Sequence, residues 1–133
     1  MKVDHIGIAT PTIAEGLAVW SGALGLEPEP AEEVTEQGVK VCMLPVGDTH
    51  VELLEPLSAE SAVGKFLAKR GPGIHHIAIE VTDIEASLAE LKNKGARLID
   101  ETPRVGARGC LVAFIHPSST NGVLLELVQH KQI

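Results

Sequence analysis

Val3-Asp4-His5-Ile6-Gly7-Ile8-Ala9 returns seventy-one residues later as Ile74-His75-His76-Ile77-Ala78-Ile79-Glu80. Both stretches alternate well enough to be half-buried β-strands. The segment after each strand is repeated as well. After the first, Ile13, Leu17, Trp20 and Leu24 fall at helical intervals along one stripe, and Thr12 with Glu15 has the spacing of a capping box. The same shift turns the first three into Ile84, Leu88 and Leu91, preceded by Thr82 and Glu85. Gly25 and Gly95 stand where a left-handed residue would end each helix.

Three strand-like runs then follow in each half, over 27–36, 39–46 and 49–55, and over 96–102, 110–116 and 122–129. The chain therefore reads βαβββ twice, which makes it an α+β protein with an internal duplication. We expect a single domain over 1–133, built of modules 1–57 and 74–133. Between them lies a short helical linker, 58–73, which carries Val63, Phe66 and Leu67 and stops at Gly71-Pro72-Gly73.

At 133 residues, with 44% hydrophobic and 22% charged, the chain has the composition of one folded domain rather than of a disordered segment. Trp20, Phe66 and Phe114 are its only aromatic residues, so the core is aliphatic. Eighteen acidic residues against eleven basic ones give a formal charge of −7, and no basic stretch could track a phosphate backbone. Nucleic acid is excluded as a partner on that ground. The opening MKVDHIGIAT is too short and too polar for a secretory signal, and no apolar run approaches membrane-spanning length. A cytoplasmic protein with no membrane association is expected. Cys42 and Cys110 read as buried small apolar residues rather than as a disulfide.

The duplication also repeats a pair of metal-ligand types. His5 precedes Glu52 by forty-seven residues and His76 precedes Glu126 by fifty. Alternation puts His5 on a face with Val3 and Gly7, and His76 on a face with Ile74 and Ala78, so a small residue leaves room beside each imidazole. Glu52 lies between Val51 and Leu53, and Glu126 between Leu125 and Leu127, so both carboxylates point away from the faces those apolar side chains bury. An ionised carboxylate on an inward face is costly without a partner. A lone strand histidine or glutamate is usually hydrogen-bonded or solvated, but four at duplicated positions around a local twofold axis point to a divalent cation.

Imidazole and carboxylate without thiolate suit Co²⁺, Mn²⁺, Ni²⁺, Fe²⁺, Zn²⁺ or Mg²⁺. Four protein ligands on an octahedral ion leave two positions for a chelating substrate. Proton abstraction beside a carbonyl, isomerisation, or oxygen chemistry at iron are the matching reactions. Of the other histidines, His50 and His130 are expected to be exposed and His75 to face away from His76. His116, just before Pro117, is retained as a substrate contact.

Taken together, these residues resemble the vicinal oxygen chelate superfamily, and within it the methylmalonyl-CoA epimerases. The resemblance runs through Asp4-His5-Ile6-Gly7-Ile8-Ala9, Glu52-Leu53-Leu54-Glu55-Pro56-Leu57, Ser61-Ala62-Val63-Gly64-Lys65-Phe66-Leu67, Gly73-Ile74-His75-His76-Ile77-Ala78, Phe114-Ile115-His116-Pro117 and Gly122-Val123-Leu124-Leu125-Glu126-Leu127. The stretch from Glu52 to Ala78 is what separates this likeness from glyoxalase I. It implies two tandem modules forming a curved mixed sheet around a metal-binding cleft, with His5, Glu52, His76 and Glu126 as ligands to one divalent ion, Co²⁺ foremost. It implies a homodimer that interconverts the (R) and (S) forms of methylmalonyl-CoA, a small CoA thioester, by removing the α-proton and stabilising the enolate at the metal.

Glu126 and Glu52 are the residues the resemblance suggests for proton transfer. Some members carry a second glutamate base at the position of Val41, so the opposite-face base is open here among Glu52, a metal-bound water and a residue of a neighbouring loop. Ser118 stands where epimerases commonly have lysine. His116, Lys65 and Arg104 are the expected contacts to the anionic substrate, with Lys69, Arg70 and Arg108 as further partners for CoA phosphates. The alternatives are a glyoxalase I-like lyase acting on a glutathione hemithioacetal and a non-catalytic ligand-binding protein of the same fold.

Overall fold

The computed structural model describes residues 1–131. They fall into two compact units, an amino-terminal one of His5–His75 and a carboxy-terminal one that combines Met1–Asp4 with the chain from His76 onward. No helix among the described residues is long and apolar enough to cross a membrane.

The amino-terminal unit takes β1 (Lys2–Ala9) from His5 onward. It continues with α1, in which Ile13–Leu17 is α-helical and Ala18–Ala23 π-helical, then β2 (Glu32–Val34), β3 (Val39–Val46), β4 (Thr49–Pro56) and α2 (Ala62–Arg70). Its strands lie in the order β2-β3-β4-β1, with β1 parallel to β4 and the other pairs antiparallel. Gly7 and Met43 flank Glu52 in register, and Val41 stands opposite Leu54, so all five residues share one face. The other face buries Cys42, Leu44, Val51 and Leu53 against Ile13, with Leu17, Trp20 and Leu26 packed alongside.

The carboxy-terminal unit is built the same way from β5 (Gly73–Glu80, entering at His76), α3 (Ile84–Asn93), β6 (Arg104–Val105), β7 (Leu111–Ile115) and β8 (Leu125–Gln129). The order is β5-β8-β7-β6, with β5 parallel to β8. Ala78 and Phe114 flank Glu126 on one face, while Ala113, Ile115 and Leu127 pack against Val81, Ile84 and Leu88 on the other. Each unit therefore has a mixed sheet with a helix on one face and its glutamate on the opposite one.

Several expected elements differ in detail. Thr12 caps α1 as expected, accepting the Glu15 N–H at 3.1 Å and donating its hydroxyl to the Glu15 carboxylate at 3.0 Å. The helical stripe, however, fails at Leu24, which is 62% exposed. The helix widens there, with the Leu24 N–H reaching back five residues to the Val19 carbonyl at 2.9 Å, and Leu26 takes the core position instead. In the second half Asp83, not Thr82, is the N-cap, accepting the Ala86 N–H at 3.1 Å. Both helices end at a left-handed glycine, Gly25 with φ +93° and Gly95 with φ +90°.

The strand expected over 27–36 shrinks to Glu32–Val34, because Pro28 and Pro30 have no N–H to give a ladder; Glu29 alone reaches the Met43 carbonyl, at 2.8 Å. The strand expected over 96–102 is reduced to one bridge, Leu98 with Ile115. There the N–H groups of Ile99 and Asp100 both turn to the Phe114 carbonyl, and the Asp100 carboxylate accepts the Phe114 N–H at 2.9 Å, which ends the ladder as a bulge does. Pairing resumes only at Arg104–Val105. The run expected over 122–129 likewise begins only at Leu125.

Candidate metal centre

Each unit brings its own histidine and glutamate together. His5 Nε2 lies 3.2 Å from Glu52 Oε1, and His76 Nε2 lies 3.0 Å from Glu126 Oε1. All four residues are buried, at 3%, 5%, 4% and 4% exposure for His5, Glu52, His76 and Glu126. Register explains how they fit. The residue paired with Glu52 on the parallel strand is Gly7, and the one paired with Glu126 is Ala78, so each carboxylate rises beside a backbone with little or no side chain.

On its other side Glu126 faces Phe114, which sets its ring at 87° to the His76 imidazole with centroids 5.6 Å apart. Met43 occupies the equivalent place beside Glu52. Burying an ionised carboxylate among such neighbours is unfavourable unless a positive charge compensates. One imidazole nitrogen and one carboxylate oxygen per pair form a donor set that fits a divalent ion of intermediate hardness.

A second feature fixes these strands to their helices. The Glu55 carboxylate accepts the Ile13 N–H at 2.7 Å, and the Gln129 side-chain carbonyl accepts the Ile84 N–H at 2.9 Å. Both acceptors lie three residues beyond the glutamate of their pair and so leave the strand on the helix side. Each of β4 and β8 thus carries a carboxylate on one face and the anchor of a helix N-terminus on the other. Metal-ligand chemistry alone does not single out Glu55 and Gln129, although their seventy-four-residue offset equals that of Glu52 and Glu126 and could have found them.

The other candidate residues lie apart from these pairs or are engaged elsewhere. His116 turns its Nδ1 back to Ser118, accepting the backbone N–H at 3.0 Å with the hydroxyl at 2.8 Å. Arg104 pairs with Asp100 at 3.2 Å, and Lys65 is exposed on α2. Val41 is buried, and on the edge strand Glu32 stands directly across from it. His75 turns to Phe66, edge to face at 5.0 Å.

Two expectations are corrected. His50 is half-buried, 4.0 Å from Glu29, because β1 and β3 flank it; His130 is held by Asp4 and Glu80 rather than left in solvent. Both cysteines are buried, and they are not joined in a disulfide. Burial, and then the nearby Glu29 carboxylate, push the Cys42 thiol pKa up, and its S–H donates to the Glu29 carbonyl at 3.4 Å.

The family model described as the Glyoxalase/Bleomycin resistance protein/Dioxygenase superfamily matches residues 4–114. The chain belongs to that superfamily. It is 41% identical to the mitochondrial methylmalonyl-CoA epimerase of Dictyostelium discoideum, over 95% of this chain and 76% of that protein. A hypothetical protein from Bacillus halodurans shares 48% identity and a TM-score of 0.96, covering 99% of this chain and 96% of its own. A methylmalonyl-CoA epimerase variant from Streptomyces coelicolor, solved in complex with 2-nitronate-propionyl-CoA, gives 38% and 0.94, covering 100% and 96%. The superfamily's α+β glyoxalase-like fold is therefore the fold of this chain, as its resemblance to that superfamily implied.

Proposed function

We propose that the protein catalyses the metal-dependent epimerisation of (R)- and (S)-methylmalonyl-CoA. The observation that carries this reading is the buried His–Glu pair present once in each unit, in a chain whose relatives include methylmalonyl-CoA epimerases. In this reading His5, Glu52, His76 and Glu126 bind a single divalent ion, Co²⁺ in first place and Mn²⁺, Ni²⁺, Zn²⁺, Mg²⁺ or Fe²⁺ as alternatives. When bound, such an ion supplies Lewis-acid polarisation of a thioester carbonyl and offsets the charge of an enolate.

The chain's own residues move the proton. The Glu126 carboxylate takes it from the α-carbon as the C–H bond breaks, and the electron pair passes to the thioester oxygen. On the opposite face a group that enters the cycle already protonated, Glu52 or a residue of a neighbouring loop, gives its own proton to the carbon, which inverts the centre. Glu126 is left holding the proton it removed until solvent exchanges it. Val41, Met43 and Leu54 share the Glu52 face and have no proton to give, so they form an apolar wall beside it. His116, Lys65 and Arg104 contact the anionic parts of the substrate. The same reading carries a cytoplasmic homodimer that acts on a small CoA thioester and engages neither nucleic acid nor membrane.

Either epimer of methylmalonyl-CoA, incubated with the protein in heavy water with and without a chelator, tests the proposal. Deuterium should enter the α-carbon together with inversion, and only in the metal-loaded sample. Turnover of the methylglyoxal–glutathione hemithioacetal without α-exchange would instead identify a glyoxalase I-like lyase. Absence of both reactions and of stoichiometric metal would leave a ligand-binding protein.

A further inference from the structure

Each module keeps a helix anchor on the far side of the strand that holds its buried glutamate. The Glu55 carboxylate accepts the Ile13 N–H at 2.7 Å across forty-two residues, and the Gln129 side-chain carbonyl accepts the Ile84 N–H at 2.9 Å across forty-five. The two acceptors differ in charge and agree in geometry. Their neighbours account for the difference, since Lys40 stands directly across from Glu55 and Leu111 across from Gln129. What both modules retain is an oxygen three residues beyond the buried glutamate, bonded to the first residue of the helix.

Helix capping does not explain these bonds. Thr12 and Asp83 already cap the two helices locally, through the N–H groups of Glu15 and Ala86. The long-range bonds do something a cap does not, which is to tie a helix to a strand. On the ligand face Glu52 has Gly7 on one side and Glu126 has Ala78, so side chains support each carboxylate mainly from the other side, at Met43 and Phe114. The roll of β4 and β8 about their own axes is therefore set from the helix face. Leu53 is fully buried there, so close to α1 that a Cβ on Gly16 would come within 2.7 Å of its Cδ1, and Leu127 packs with Ile84 and Leu88 of α3. Apolar contacts are non-directional, whereas a hydrogen bond also fixes direction. A site held to about 0.5 Å needs such a lock on the element that carries it.

We propose that Glu55 and Gln129 are positioning residues, which set the Glu52 and Glu126 carboxylates by locking β4 to the first turn of α1 and β8 to that of α3. This rests on the metal-binding reading of the two pairs.

Metal-free protein titrated with Co²⁺ tests it, with the urea midpoint of each variant measured in parallel. Glu55→Leu and Gln129→Leu remove the acceptor, and each should weaken Co²⁺ binding by about 10-fold or more, the size of effect seen when support for a ligand is lost. Glu55→Gln and Gln129→Glu keep an acceptor in place and should bind as the wild type does. Leu98→Ala, which loosens the core of the carboxy-terminal unit and leaves both acceptors intact, should lower the urea midpoint and spare the affinity. The positioning role is overturned if Glu55→Leu loses stability yet binds Co²⁺ as tightly as Leu98→Ala, or if Glu55→Gln is as weak as Glu55→Leu. Should Glu55→Leu fail to fold, Gln129→Leu makes the same comparison in the other unit. Wild-type protein that takes up no Co²⁺ overturns the metal reading itself, and the anchors then have no ligand to position.

Discussion

Glu126 illustrates how much one residue is asked to do, since its carboxylate is buried, lies 3.0 Å from His76 and is the proposed carrier of the α-proton. Glu126→Gln keeps the size and removes the basicity, so α-deuterium exchange should fall by about 10²–10⁴-fold. Metal content measured alongside separates lost proton transfer from lost binding, and wild-type exchange in this variant would defeat the assignment. Lower pH should weaken metal binding as well, because imidazole and carboxylate ligands must be deprotonated.

Cys42 gives a second prediction at this scale. Burial holds its pKa above the ordinary thiol value, so the native thiol should resist iodoacetamide under mildly alkaline conditions while the urea-unfolded chain reacts. Peptide mass spectrometry reads the difference. The thiol's contribution to stability is whole below the ordinary thiol pKa and is lost as pH rises through the raised native one, because the unfolded chain ionises first. The ligand pairs were legible because each residue is supported by its counterpart, whereas Val41 marks where the duplication stops being informative about proton transfer.

At the scale of elements, α2 depends on Gly64. A Cβ there would stand 2.4 Å from the Ser58 carbonyl oxygen and 2.8 Å from that of Ala59. Alanine gains about 1 kcal/mol of helix propensity over glycine, but overpacking against backbone costs about 1–3 kcal/mol, and two such contacts put the balance on the side of the clash. Gly64→Ala should therefore lower the urea midpoint. Gly16→Ala should cost less, because it meets the movable Leu53 Cδ1 at 2.7 Å. Strand and helix positions were readable from periodicity, while their edges were decided by hydrogen-bond supply. Pro28 and Pro30 withhold N–H groups and Asp100 diverts one, and apolar alternation registers neither. Thr82 and Asp83 are adjacent residues of equal capping chemistry, so only the backbone distinguishes them.

For the molecule as a whole, an ion that binds the native state and not the unfolded chain adds about 2.7 kcal/mol when its free concentration is 100 times its dissociation constant. For a chain of this length that is an increase in Tm on the order of 10 °C, reversed by chelator. Calorimetry of metal-free protein with and without Co²⁺ measures it, and an unchanged midpoint would speak against a resident cation.

The two modules also record a difference in length. Ile13 precedes Gly25 by twelve residues and Ile84 precedes Gly95 by eleven, yet in both cases the first of these is anchored by a strand side chain and the second is a left-handed cap. The π-helical turn of α1 is where the additional residue resides: an insertion absorbed by widening a helix instead of being extruded as a loop. Excising one residue between Ala18 and Ala23 should return α1 to plain α-helix with both ends in place. The same excision from α3, which has no slack to surrender, would swing its terminal glycine by about 100° around the axis.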